Sequence, residues 1–151
     1  MAIDYFLELA THLTSSKALG LLSRQTPGLM WSEDKFFLFN PSTSISATES
    51  RALTQSIIAD AFHFTPTLAV SFRYSKEPEH YDDFRQIMLE ATLLLLEHAQ
   101  DAVLLFNGEE IVLQRLGGKF AVNSDYHIWD DWLESRLTIP FEHRPLPSPL
   151  L

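Results

Sequence analysis

The stretch that decides the fold is YDDFRQIMLEATLLLLEH, residues 81–98. Its apolar residues recur at steps of three and four, the spacing that places side chains on one face of an α-helix. Further leucines widen that face until only a narrow polar edge remains. A helix this apolar has to be covered on most sides, so residues 81–98 predict a long helix that lies across a sheet at the centre of the core.

Alternating patterns on both sides of this helix predict strands. Residues 67–74 and residues 3–9 alternate apolar with polar or small residues, as strands with one buried face do. After the helix, two apolar runs flank Asn107-Gly108, and both residues tolerate the positive φ of a tight hairpin turn. Gly117-Gly118 then turns the chain again. Residues 102–122 therefore predict a three-stranded antiparallel meander.

Weaker patterns predict the remaining elements. Three helices are expected: one capped by Thr14 or Ser15 and running to Leu22, one over residues 50–62 capped by Ser50, and one over residues 127–137 with Asp125 as its cap. The inward side chains would be Ala18, Leu19 and Leu22 in the first helix, and Leu53, Ile57, Ile58 and Ala61 in the second. Residues 29–31 and 36–39 predict a short hairpin, and residues 44–48 predict an edge strand.

Together these elements predict a single α+β domain over residues 1–151. We expect a mostly antiparallel sheet with one long central helix, about 81–98, on one face, and two or three shorter helices on that face or at the edge. The proline-rich tail, about 140–151, is expected to lie outside regular hydrogen-bonded structure. A hydrophobic content of 46% in 151 residues is enough for a core that folds by itself.

Composition and charge exclude several classes of function. The chain has no cysteine, so disulfides and thiolate metal sites are excluded. Its net charge of −9 leaves no basic footprint for nucleic acid. Residues 76–151 carry most of it, with 14 Asp/Glu against 6 Lys/Arg. No apolar run reaches the roughly 20 residues of a membrane span, and the first residues lack a signal-peptide pattern, so a cytoplasmic protein is expected.

Motifs that carry chemistry are missing from the sequence. There is no Gly-x-Ser-x-Gly and no phosphate-binding glycine loop. The nearest approaches to a metal site are His80-x-Asp82 and His127-x-x-Asp130, which each supply only two ligands. We therefore expect no enzyme activity, no cofactor and no metal, and no cleft with converging polar groups and shifted acidities.

One stretch has the composition of a contact surface, namely residues 125–134. Aromatic side chains ringed by charge are typical anchors of protein interfaces. The alternative is an ordinary amphipathic helix that buries its tryptophans in the core. Glu109 and Glu110, at the hairpin, are secondary candidates. The candidate partner-binding residues in the stretch are Asp125, Tyr126, Trp129, Asp130, Asp131, Trp132 and Glu134.

The second half of the chain resembles a known family. The segments that carry the resemblance are VSFRYSK (70–76), DAVLLFNGE (101–109), VLQR (112–115), Gly117-Gly118 and Asn123 followed by a tryptophan, with FHFTPT (62–67) and the opening MAIDY also similar. In this order they resemble the bacterial immunity proteins of swarm-inhibition toxin–immunity systems first associated with myxobacteria. The resemblance is good over residues 62–123, loose in the first strand and weak over residues 10–60.

The resemblance implies a non-catalytic immunity protein that binds and neutralises a cognate protein toxin. An acidic surplus would suit a basic toxin, because opposite charges speed association. The sequence leaves one alternative open, a small acidic chaperone or adaptor that binds a secreted effector. Such chaperones usually dimerise and hold unfolded clients, whereas an immunity protein binds one folded domain. The sequence does not indicate the oligomeric state.

Overall fold

The computed structural model describes residues 3–149, and the four residues at the ends of the expected domain, Met1, Ala2, Leu150 and Leu151, lie outside the described residues. The described chain is α+β, with one nine-stranded sheet in the order β2-β3-β4-β5-β1-β6-β7-β8-β9. The strands are β1 Asp4–Thr11, β2 Met30–Trp31, β3 Leu38–Phe39, β4 Thr43–Glu49, β5 Leu68–Tyr74, β6 Ala99–Phe106, β7 Glu110–Leu116, β8 Lys119–Asn123 and β9 Glu142–Arg144. The helices are α1 Ser15–Gln25, α2 Ala52–Phe62, α3 Tyr81–Leu96 and α4 Asp131–Glu134, and a 3₁₀ turn, Pro78–His80, leads into α3.

The first core lies between one face of the sheet and the helices α1 and α3. The long helix is confirmed where residues 81–98 predicted it, two residues shorter at its end. The alternating side chains of β1 and β5 that face it are buried, as the sequence pattern predicts: Tyr5, Leu7, Leu9, Leu68, Val70, Phe72 and Tyr74. Thr14 caps α1 through a bond from Lys17 N to its hydroxyl. The short hairpin of β2 and β3 and the meander of β6, β7 and β8 are also confirmed.

A second core covers the other face of the sheet, and the expectation of helices on one face or at the edge is wrong for α2. Ile58 and Phe62 of α2 pack with the side chains of β6 that point away from α3, Val103 and Leu105. Both faces of β6 are therefore buried, which explains its unbroken apolar run. Ser50 does not cap α2, because the helix begins one residue later than expected and Arg51 stands at its N-cap without a side-chain bond.

Three further expectations are corrected by the structure. The last helix is only Asp131–Glu134, and its N-cap is Asp130, whose side chain accepts a bond from Leu133 N, and not Asp125. Residues 142–144 of the tail form β9 and pair in parallel with β8, so this part does join the sheet. The segment 44–48 lies within β4, between β3 and β5, and is not an edge strand.

The Asn-Gly hairpin has the backbone that the sequence predicts. Asn107 and Gly108 both have positive φ, of 51° and 78°. Glu109 N donates to Phe106 O at 3.0 Å and closes the turn. Glu109 therefore lies in the turn and Glu110 is the first residue of β7, which places both carboxylates at the tip of the hairpin.

Candidate partner-binding surfaces

Arg85 fixes the position of the segment 125–134 against α3. Its guanidinium is buried, and Nη1 donates to Ile128 O at 3.0 Å and to Asp130 Oδ2 at 2.9 Å. Nη2 donates to Asp82, one turn earlier on α3. These contacts bring the acids at the start of α3 and the acids of the segment to the same part of the surface. The bond from Leu133 N and the Arg85 guanidinium together lower the pKa of Asp130 below its ordinary value.

The two tryptophans of the segment are half-buried and serve packing. Arg85 and Arg136 each lie 5.0 Å from the Trp132 ring centre, and Tyr81 stacks with Arg85 at 5.1 Å. Trp129 Nε1 donates to Val112 O at 3.0 Å, so its polar edge faces the sheet. Trp132 and Leu133 lie in α4 and Trp129 lies before it, so the three residues do not share one helical face.

Tyr126 lies in the core. It is 2% exposed, and its hydroxyl lies 3.0 Å from that of Tyr5, so that one hydroxyl donates to the other. Burial raises the pKa of Tyr5 to about 12 and raises the pKa of Tyr126 as well. Both phenols are therefore neutral at physiological pH, and this pair holds the segment to the first strand.

The exposed members of the candidate set are acids. Asp125 and Asp131 are exposed on the segment, and Glu109 and Glu110 are exposed at the hairpin tip. Glu134 is half-buried, and its Oε1 lies 3.2 Å from His143 Nδ1 on β9. We define the acidic surface as Asp125, Asp131, Glu109 and Glu110. Asp130 is exposed as well, but its carboxylate is paired with Arg85, so these four acids are what the structure leaves for a partner.

A groove on the second face of the sheet was not predicted from the sequence. It has a volume of about 410 Å³ and runs between α2 and the strands β5 and β1. The residues of β5 on its floor, Ala69 and Ser71, are small and leave room for the groove. Its walls are apolar: Phe6 and Ile57 are each 36% exposed, and Leu53, one turn before Ile57 on α2, is 74% exposed. Leu53 and Ile57, expected to point inward, are thus exposed.

One buried carboxylate opens into this groove. Glu8 is 4% exposed, lies between Ala69 and Val103 of the neighbouring strands, and lines the groove. Its Oε2 is buried and accepts no hydrogen bond from residues 3–149. Burial raises the pKa of Glu8 to about 7. The sequence did not predict this carboxyl, and a single carboxyl is not the converging set of polar groups that catalysis requires.

The groove meets the candidate residues of the hairpin at one end. Gly108, in the turn, lines the groove next to Leu105, and Glu109 and Glu110 follow it directly. Glu49 and Arg51 lie along the other side, where β4 leads into α2. Within the described chain the groove and the acidic surface thus meet at the hairpin tip.

The sequence gives the face of the sheet on which Glu8 lies, but it does not show that this face is covered at Glu8. Alternation along β1 places Asp4, Phe6 and Glu8 on the face opposite Leu7 and Leu9, and such a face is normally solvent. Here α2 covers part of that face and side chains of β6 lie beside Glu8, and α2 is the element whose position was predicted wrongly. The carboxylate is buried as a consequence of that cover.

Among residues 3–149, side-chain atoms that could bind a metal come together at one place. It is neither His80 with Asp82 nor His127 with Asp130, the pairs considered from the sequence. Carboxylate and imidazole atoms of Glu77, Glu79 and His80 lie within 4.8 Å of one another at the start of α3. Both glutamates are exposed, and His80 Nε2 already lies 3.1 Å from Glu77 Oε2. Exposed acids in the first turn also complement the helix dipole, so the group has an ordinary structural explanation.

Fold and surfaces together define a small α+β protein on one sheet, with an acidic surface and an apolar groove that meet at a hairpin. The chain belongs to the SitI3-like family, whose model matches residues 3–132. The match includes residues 10–60, over which the resemblance in the sequence is weak. No curated protein and no solved structure matches the chain. Among residues 3–149, the helices are too short or too polar to cross a bilayer.

Proposed function

We propose that this protein is a non-catalytic immunity protein, which binds a cognate bacterial toxin in the cytoplasm and neutralises it. The observation that carries the proposal is membership of the SitI3-like family over residues 3–132, since names of the SitI type suggest immunity proteins. The swarm-inhibition systems that the sequence resembles pair such a protein with a toxin made by the same cell. Neutralisation by binding needs only a stable folded surface and no reacting group.

The acidic surplus supports a basic toxin as the partner. Glu109, Glu110, Asp125 and Asp131 are exposed and unpaired within residues 3–149, so their field acts on an approaching molecule. Protection requires tight binding, on the order of nanomolar, which corresponds to about −12 kcal/mol. Charge supplies rate and orientation more than affinity, so the tight part of the contact has to come from buried groups.

Co-expression with the toxin domain encoded by the adjacent gene tests the proposal. We expect restored growth and a complex of one copy of each chain on size-exclusion chromatography. Protection should fall off when the toxin exceeds the immunity protein in molar amount, because one copy blocks one toxin. Protection at a small fraction of the toxin would indicate catalytic inactivation and contradict the proposal.

The chaperone alternative gives a different result in the same experiment. A chaperone would hold its client without native structure, and the released client would refold and become active. A toxin domain that keeps its native circular dichroism spectrum inside the complex supports immunity. A client that is unfolded in the complex would favour the chaperone.

A further inference from the structure

The groove beside α2 contains a feature that the fold does not need. A buried Glu8 with an unpartnered oxygen destabilises the folded chain, since a carboxylate out of water requires hydrogen bonds or a counter-charge. Leucine or valine would fit the apolar surroundings formed by Val103 and Leu105 better. This polar group lowers stability and lies at the floor of an open groove. It therefore points to a ligand that supplies the missing hydrogen-bond donor.

The chemistry of the groove specifies that ligand. The free carboxylate oxygen calls for a cationic donor, and the apolar walls of Phe6 and Ile57 suit the methylene stem of a lysine or arginine. Leu53, exposed beyond the groove on α2, extends the apolar area to a size that a free amine would not cover. These features fit an interface with one buried charged anchor inside an apolar ring.

We infer that this groove is the socket for the toxin, and that Glu8 binds a lysine or arginine side chain of a toxin loop. The inference rests on the proposed function and adds the site and the anchor. When the cation enters, its N–H groups donate to the Glu8 carboxylate, and any proton on that carboxyl leaves to solvent. The hairpin tip, which joins the groove to the acidic surface, places Glu109 and Glu110 at the edge of the same contact.

The charged neighbours of Glu8 have to be considered as well. Glu49 and Arg51 also line the groove. Glu49 Oε1 is 3.4 Å from both Ser15 N and Ser15 Oγ. Arg51 is exposed and forms no ion pair with the described residues. Arg51 is thus the one cation among the residues that line the groove, and it can compete with the toxin for the carboxylate.

The test uses the full-length protein and the toxin domain encoded by the adjacent gene, with binding measured by isothermal titration calorimetry. The variant Glu8→Gln keeps the shape and removes the charge, and we expect it to weaken binding by about 30-fold or more. The control Glu33→Gln, an exposed acid outside the groove and outside the acidic surface, should stay within about 3-fold. Because the Glu8 carboxyl ionises near pH 7, wild-type affinity should rise about 10-fold from pH 6 to pH 8, whereas Glu8→Gln should stay flat.

The outcomes separate this inference from the proposed function. If the wild-type protein does not bind the toxin, the proposed function fails and the socket fails with it. If the wild type binds and Glu8→Gln binds equally well, only the socket is wrong. An NMR titration of the Glu8 carboxyl gives an independent readout: its pKa should fall below about 5 in the complex. If that pKa is already low in the free protein and Arg51→Ala raises it, Arg51 fills the socket and the inference is overturned.

Discussion

Arg85 Nη1 lies 2.9 Å from Asp130 Oδ2, and this contact joins the central helix to the segment that carries half of the acidic surface. The two residues are 45 positions apart. The carboxylate acts twice, because Oδ1 also caps α4 through Leu133 N at 2.8 Å. One ion pair therefore sets both the place of the segment and the start of its helix, and the exposed acids nearby depend on it for their position.

Replacing Arg85 tests how far the segment depends on this contact. We expect Arg85→Met to lower the free energy of unfolding by about 2 to 3 kcal/mol, because the Ile128 carbonyl and Asp130 lose a donor and Trp132 loses a stacked cation. Urea denaturation measures the change. Arg136 also stacks on the Trp132 ring but is exposed, so Arg136→Met should change the free energy of unfolding by less than about 1 kcal/mol. Equal losses in both variants would show that Arg85 has no special role.

The Tyr5–Tyr126 pair predicts a measurable coupling. Each single change to phenylalanine leaves one buried hydroxyl without its partner and should cost about 1 to 2 kcal/mol. The double change removes both groups, so its cost should be smaller than the sum by about 1 kcal/mol. As a comparison, Tyr74 donates to the Glu77 carbonyl, and Tyr74→Phe with Tyr126→Phe should be additive. Additive losses for Tyr5 and Tyr126 would mean that the two hydroxyls do not interact.

The elements that sequence reasoning predicted well are those with strong local signals. The period of α3, the alternation of β5 and the Asn107-Gly108 turn are properties of neighbouring residues, so they can be read without knowing the rest of the fold. The side of the sheet on which α2 lies is a non-local property. An apolar stripe on α2 fits either face, and only the apolar residues on both sides of β6 indicate that the second face needs cover.

The candidate site shows the same division between local and non-local information. The sequence correctly singled out residues 125–134 as unusual, but it could not show that Tyr126 meets Tyr5 from the other end of the chain. It also could not show that Glu8 is buried, because an acid alternating with leucines is typical of a strand with one solvent face. Burial of Glu8 depends on residues about 50 and 100 positions away.

The stability of the free protein should depend on pH through Glu8. Its pKa rises from 4.5 to about 7 on folding, so the folded state binds more protons between those values and stability falls as pH rises through this window. Glu8→Gln should therefore raise the free energy of unfolding by up to about 3 kcal/mol at pH 8, and by almost nothing at pH 4.5. Glu49→Gln should change it by less than about 0.5 kcal/mol at either pH. If Glu8→Gln raised the free energy of unfolding equally at both pH values, the raised pKa of Glu8 would be wrong.

The end of α2 offers a stabilising change. His63 is the C-cap in the left-handed conformation, with φ 64° and ψ 30°, and its side chain is exposed. Glycine adopts this conformation without strain, so His63→Gly should gain about 0.5 to 1 kcal/mol in thermal or urea unfolding. His12 is also exposed but does not have a positive φ, and His12→Gly should give no gain. A loss of stability in His63→Gly would indicate that the side chain makes contacts that matter.

Association with a basic toxin should be fast because of the acidic surface. Glu110→Gln with Asp131→Asn removes two exposed charges from that surface, and we expect the association rate at low salt to fall about 3-fold while the dissociation rate stays nearly unchanged. The matched pair Glu33→Gln with Asp60→Asn removes two exposed acids elsewhere and reduces the negative net charge by the same amount. A smaller effect there would show that position, and not total charge, matters. Stopped-flow measurements at about 50 mM and 500 mM salt separate long-range attraction from short-range contact. At high salt the screening length is only a few ångströms, so long-range attraction is removed. Rates that do not change with salt would exclude charge steering, and they would leave the groove around Glu8 to account for the affinity by short-range contact alone.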